Sequence, residues 1–276
     1  MLFVVVSIFV IFPIVANAES ITNDNGIVIS EEEYNNFIQI HTHEYIMAMS
    51  EEKYEKLKTL DYSNITSTEK YVETTYNRSL NLTTEREITK EEYDSYPEAG
   101  ISPYLNDDGA SYETQVKKIT LGVIGGTTWN HVVSTATWKS IPSVRSYDVI
   151  GVRGERFEFR DGSQTGEQVY VLNGQYLMVD YAWNGTNIQR HNNGFGISMN
   201  IVNSNISSLQ LSVDCDIKAT GNAPTVFASY QHAVQEVSLA NSQNYTLGGS
   251  GLGGVFVFPY SISQKYDGMG GVYVQY

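Results

Sequence analysis

The chain has 276 residues, with 31 acidic against 17 basic side chains (net charge −14), 41% hydrophobic residues, 20 tyrosines and a single cysteine. That composition excludes a disordered chain and leaves enough apolar side chain for one large core or two smaller ones. It also excludes an intrachain disulfide, and its sign argues against nucleic acid or an anionic membrane surface as the partner.

Leu2 to Val15 is almost unbroken Leu, Val, Ile and Phe, and Ala16-Asn17-Ala18 follows. The run falls short of the roughly 20 residues needed to span a bilayer. Ahead of a small-x-small triplet it reads as a secretory signal peptide over residues 1–18. No Lys or Arg precedes it, which departs from the usual exported form. The mature chain is expected to start at Glu19 and to be secreted. No later apolar run of that length, lipid-attachment cysteine or Leu-Pro-x-Thr-Gly motif occurs. The sequence therefore predicts no transmembrane anchor.

Residues 19–100 hold 18 acidic and 7 basic side chains, most of the net charge. Ser30-Glu-Glu-Glu33 and Thr89-Lys-Glu-Glu92 have capping-box spacing, and Ser50-Glu-Glu-Lys53 keeps the cap without the reciprocal Glu. These signals predict helices near 30–40, 42–49, 50–60 and 89–96, with a strand pair at 69–76 and 82–88. Tyr34, Phe37 and Ile38 fall on one helical face and need a surface to dock on. Residues 19–100 are thus read as an acidic α-rich segment with a short strand pair.

Pro97, Gly100, Pro103 and Asn106-Asp-Asp-Gly109 form a turn-rich break. Beyond it the hydrophobic period is two. Leu209, Leu211, Val213, Cys215 and Ile217 alternate with Gln210, Ser212, Asp214, Asp216 and Lys218, the pattern of a half-buried antiparallel strand with its polar side in solvent. Residues 132–139 alternate more weakly, and Val255-Phe-Val-Phe258 reads as a central strand, apolar on both faces. Gly turns such as Asp161-Gly162 and Asn173-Gly174 punctuate the region. The expected fold is mainly β: an antiparallel β-sandwich over residues 101–276, preceded by the small acidic helical segment.

Candidate chemistry is sparse. Gly249-Ser-Gly251-Leu-Gly253-Gly254 has a dinucleotide-loop spacing, but a strand and Pro259 follow where a helix should receive the pyrophosphate, so no cofactor is expected. Cys215 sits on the apolar side of its strand and reads as a buried, unreactive thiol. Asp214 and Asp216 lie about 7 Å apart on one strand face, a spacing shared by paired catalytic carboxylates and by any polar stripe. His41 and His43, two apart on a helix, cannot chelate together, and no metal site is predicted. No Gly-x-Ser-x-Gly or His-Glu-x-x-His motif occurs. The strongest binding signal is aromatic: Trp183 abuts the Asn184-Gly185 turn, with Tyr181 before it and Asn187, Asn192 and Asn193 after it. A flat ring among amides can stack on a sugar and bond its hydroxyls.

Glu31-Glu-Glu-Tyr34, Trp138-Lys-Ser-Ile-Pro142, Arg145-Ser-Tyr-Asp148, Asn193-Gly-Phe-Gly196, Ser229-Tyr-Gln-His-Ala233 and Tyr266-Asp-Gly-Met-Gly-Gly-Val272 together resemble a group of uncharacterised secreted proteins of low-GC Gram-positive bacteria. The resemblance implies export and a Gram-positive source, and no activity. The sequence thus predicts a non-enzymatic recognition or envelope-associated module, with a glycan or other envelope component as partner. The alternatives are a secreted hydrolase using Asp214/Asp216 or His232, and a membrane-active β protein in which residues 209–218 form a tilted membrane strand.

Overall fold

A computed structural model of the chain describes residues 20–77, 79–80, 82–97, 103–105, 111–248, 255–268 and 271–275. The leader (1–18), most of the turn-rich break and the glycine run 249–254 lie outside the described residues.

The chain opens with a two-stranded ribbon, β1 (Ile21–Thr22) and β2 (Val28–Ile29). Three short helices follow: α1 (Glu31–Phe37), α2 (His43–Ala48) and α3 (Glu51–Lys58). Strands β3 (Ile65–Asn77) and β4 (Leu82–Ile88), helix α4 (Lys90–Ser95), and strands β5 (Pro103–Leu105), β6 (Ser111–Ile124) and β7 (Asn130–Trp138) come next. The central strands are β8 (Tyr147–Glu155), β9 (Phe157–Phe159), β10 (Thr165–Leu172), β11 (Gln175–Tyr181), β12 (Ile188–His191), β13 (Gly194–Asn200), β14 (Ser208–Ala219) and β15 (Thr225–Gln231). The last elements are α5 (Leu239–Ser242), β16 (Thr246–Leu247), β17 (Phe256–Val257), α6 (Tyr260–Ser263) and β18 (Val272–Gln275).

The helix starts are set by their caps. Ser30 and Thr89 each accept from the backbone N–H three residues on, and Glu33 and Glu92 reach back to the cap N–H, closing both capping boxes. Thr42 and Ser50 cap α2 and α3 through their hydroxyls. At Asn173-Gly174 both residues have positive φ, the geometry of a two-residue hairpin turn that joins β10 to β11.

The fold is mainly β, in antiparallel sheets, and is a sandwich. A nine-stranded sheet runs β11-β10-β14-β7-β6-β3-β4, with β5 added on β6 and β9 on β14. A five-stranded sheet runs β12-β13-β8-β15-β18. Ile119, Leu121, Val132, Leu211, Val213 and Cys215 from the first meet Ile150, Val152, Phe195, Ile197 and Val226 from the second in one continuous core. Dry burial of this kind is the main stabilising contribution. Residues 65–88, the strand pair expected in the acidic segment, supply β3 and β4 to the large sheet.

Two further layers cover the outer faces. The helical segment packs Phe37, Ile46, Met49 and Leu57 against Val169 of β10. A tight contact fixes its position: a Cβ on Gly122 would meet Ile40 Cγ2 at 3.1 Å, so glycine there lets Ile40 rest on the sheet. On the far side, Tyr245, Val255, Phe256 and Tyr266 cover the five-stranded sheet. The expected central strand at 255–258 is only the short β17, paired with β16 in this covering layer. Val255 and Phe256 pack against a sheet face, while Val257 is exposed.

Candidate functional site

Register aligns the outer face of the large sheet into a polar grid. Across β3, β6, β7, β14 and β10 it reads Glu69, Thr120, Thr135, Ser212 and Glu167, with Asp214 and Thr165 one position further along. The sequence placed Asp214 and Asp216 toward solvent. The structure corrects this: α3 lies over them, and Asp214 is only 6% exposed. Polar alternation identified the face but not the helix that covers it.

Lys53 and Lys56 point from α3 into this grid. Lys53 pairs with Glu167 and, at 3.1 Å, with Asp180; Lys56 pairs with Asp214. Thr165 Oγ1 donates to Asp214 at 2.6 Å, and Ser212 Oγ to Glu167 at 3.0 Å. His131 Nδ1 lies 2.9 Å from Asp216, which Arg160 also approaches at 3.3 Å. Burial pulls Asp214 upward, but Lys56, His131 and Lys53 outweigh it and hold the carboxyl well below its ordinary range. Glu167 moves the other way: burial, with the Asp214 charge adding to it, outweighs Lys53 and pushes it up to about 7. Burial likewise pulls Lys53 down, and the three carboxylates around it more than reverse that. His41, 5% exposed and stacked on Tyr45 at 4.1 Å, is pulled down to about 3 by burial and by His131. A cavity of about 20 Å³ lies between His41, Lys53, Lys56, His131 and Asp214, room for one water molecule and too small for a substrate.

The other hydrolase candidate lies in the core. His232 is 0% exposed, its Nδ1 is 2.9 Å from Asp148, and its ring meets Trp138 edge-on at 4.8 Å. Asp148 also accepts from Tyr230, and Trp138 Nε1 donates to the Tyr230 hydroxyl at 3.0 Å. Lys117 pairs with Asp267 beside the same two rings. Burial pulls Lys117 down to about 8. Here the Asp–His pair shares its carboxylate with the Tyr230 hydroxyl and, through Trp138 of β7, ties the two sheets together. Cys215 is buried, and burial drives its thiol well above the ordinary value, as expected of an inert thiol.

The residues expected to form a sugar platform separate into two sets. Tyr181 packs on the core with its hydroxyl accepting from Gln168 at 3.2 Å, and Asn187 donates to the Ser198 carbonyl at 2.7 Å, so both are structural. The Asn193 carbonyl accepts from Gly154, and Asn184 is exposed on the turn. Trp183 is 43% exposed, with the Arg190 guanidinium over its ring at 5.2 Å. Arg190 and Asn192 line a hollow of about 370 Å³ with Phe157, Phe159, Asp161 and Gln164. Gln164 is 3% exposed; its Nε2 donates to the Arg160 carbonyl while its Oε1 has no partner. An orphaned buried acceptor costs about 1–3 kcal/mol. Of the residues singled out in the sequence, Asn192 lines this hollow and Trp183 lies beside it through Arg190; Phe157, Gln164 and Arg190 carry no signal in the sequence and are brought together by the folded sheets.

A second concavity, of about 530 Å³, lies where residues 38–42 rise from the polar grid. Its floor includes Thr120, Thr135 and Thr137, and its lining carries the two opposite charges Glu69 and Lys118. Nothing in the linear sequence signals it, because its two walls are nearly 100 residues apart.

No family model matches this sequence, and no curated protein does. Among solved structures, the Clostridium perfringens NetB toxin in its membrane-inserted form is 6% identical, matched over 60% of this chain and 84% of that one with a TM-score of 0.18. Similarity at that level carries no argument about fold or function. Among the described residues, no helix is long and apolar enough to cross a membrane.

Proposed function

We propose that this protein is a secreted recognition module that holds a glycan of the cell envelope or of a host surface in the hollow beside Trp183. The observation that carries the reading is Gln164, whose buried, unpartnered acceptor lines a concavity walled by two Phe rings. Aromatic walls take the C–H faces of a sugar, while Asp161, Arg190 and Asn192 offer both donors and acceptors to its hydroxyls. The hydrolase reading draws no support from Asp214, paired with Lys56 beside a cavity of about 20 Å³, or from His232, buried against Asp148. The membrane-strand reading would require β14 to leave the middle of the large sheet, where both of its faces are covered.

Titration of the purified protein with solubilised cell-wall fragments and host glycans is the test. Saturable binding that falls at least tenfold in Gln164→Leu or Arg190→Ala is the expected result. Absence of saturable binding to any of them would overturn the reading.

A further inference from the structure

We infer that the groove between residues 38–42 and strands β3, β6 and β7 is a second binding site, for a neutral oligosaccharide, and that its occupant clamps the helical segment onto the sheet. This does not rest on the hollow beside Trp183, since no residue lines both concavities.

The floor is built by register. Glu69 stands opposite Thr120, Thr120 opposite Thr135, and Lys118 opposite Thr137. Side chains on one face repeat about every 5 Å across strands and 7 Å along them, so the floor is a flat lattice of hydroxyls. At about 530 Å³ the groove falls within the roughly 300–1,000 Å³ typical of small-molecule sites.

Three of its lining residues are left incomplete by the protein itself. Thr135 is buried with no partner for Oγ1; Thr137 Oγ1 and both ring nitrogens of His41 are also buried and unpaired. Native structures rarely leave such groups unpaired. A change of staggered χ1 rotamer redirects the Thr135 or Thr137 hydroxyl, and a ligand rich in donors and acceptors in the groove completes it. Glu69 and Lys118 cancel, so a charged ligand would lose on one side what it gained on the other. Ile38 and Ile40 add an apolar edge against which C–H groups can pack.

His41 is the joint of the arrangement. It belongs to the helical segment, lines the groove, and borders the small cavity above Asp214. A ligand held by His41 on one wall and Thr135 on the floor therefore adds a bridge, at the groove, between two layers already joined by the apolar contacts around Val169 and by Ile40, Lys53 and Lys56.

Calorimetric titration with maltotriose, cellotriose and triacetylchitotriose, combined with hydrogen exchange, tests this. One of these sugars is expected to bind, at least tenfold more weakly in Thr120→Val/Thr135→Val and within twofold of normal in Gln164→Leu. Binding should slow amide exchange across residues 38–58. Thr135→Val alone should raise Tm while weakening binding, because it removes an unpaired hydroxyl that the fold does not use. Gln39→Ala, on the exposed wall, substitutes if the double variant does not fold, with at least a threefold loss expected. Unchanged affinity in the groove variants overturns the site, as does the absence of binding by all three sugars. A loss confined to Gln164→Leu overturns the groove and keeps the hollow, and unslowed exchange at 38–58 overturns the clamp.

Discussion

On the inner face of the large sheet, Lys117 meets Asp267 in a setting closed by Trp138 and Tyr230. On the outer face, Lys53 and Lys56 reach from a helix to carboxylates whose neighbours run out to solvent at Asp180 and Arg160. The inner pair is fully buried: Asp267 accepts from the His232 backbone N–H at 2.9 Å besides pairing with Lys117, and removal of Lys117 strands a buried carboxylate. The outer group is a chain with shared partners, in which one member can change protonation while the rest adjust. Two clusters of lysines and carboxylates thus differ in setting, one buried between the sheets and the other running from a buried Glu167 and Asp214 out to solvent.

Breaking the inner pair gives the largest expected effect. Lys117→Met leaves Asp267 buried without its cation, a loss of about 3–5 kcal/mol. Denaturant titration should show it, and Lys117→Met/Asp267→Asn should recover much of it by removing the stranded charge. A loss below about 1 kcal/mol in the single variant would make the two clusters equivalent.

Acidity separates the clusters next. His41 has a folded value near 3, below its unfolded one, so the unfolded chain alone binds that proton as pH falls from about 6.5. Stability then drops by up to about 1.4 kcal/mol per pH unit. Glu167, raised to about 7, works in the opposite sense: its contribution is full below the unfolded carboxylate value and is lost as pH rises through 7. The two offset each other between about pH 6.5 and 4.5, giving a nearly level stability curve. Below that, His41 and the depressed Asp214 act together and the curve falls. Denaturation across this range should show stability rising on mild acidification in His41→Gln and falling from pH 6.5 onward in Glu167→Gln. Parallel curves for all three proteins would sink the assignment.

Helix starts sharpen the comparison further. Ser30→Ala removes a capping box from the outer layer and should cost about 1 kcal/mol. Hydrogen exchange should place that loss in residues 30–62 and leave β6 and β7 unmoved. The smallest effect is a null one: Cys215 should resist thiol reagents in the folded protein and react promptly in denaturant.

How much of this was legible follows the same division between faces. The caps at Ser30 and Thr89 are local hydrogen-bond devices, and their spacing alone located α1 and α4. Alternation over 209–218 correctly assigned Leu211, Val213 and Cys215 to the inner core, because a pleat has period two whatever it packs against. The same alternation could not say what covers the other side. Asp214 looks identical in sequence whether water or Lys56 faces it, and the difference depends on a helix more than 150 residues away. The hollow met the same limit: Arg190 and Asn192 are neighbours in sequence, but Gln164 and Phe157 reach them only through the folded sheets.

Lys117 and Asp267 are 150 positions apart, and β18, which follows Asp267 in the chain, pairs with β15 at the edge of the small sheet. Contacts of such separation are slow to form. During synthesis the edge of β15 stays unpaired and Lys117 stays without Asp267 until residues 267–275 have been added. A polypeptide that stops short of residue 267 therefore lacks both the partner of Lys117 and the strand that pairs with β15.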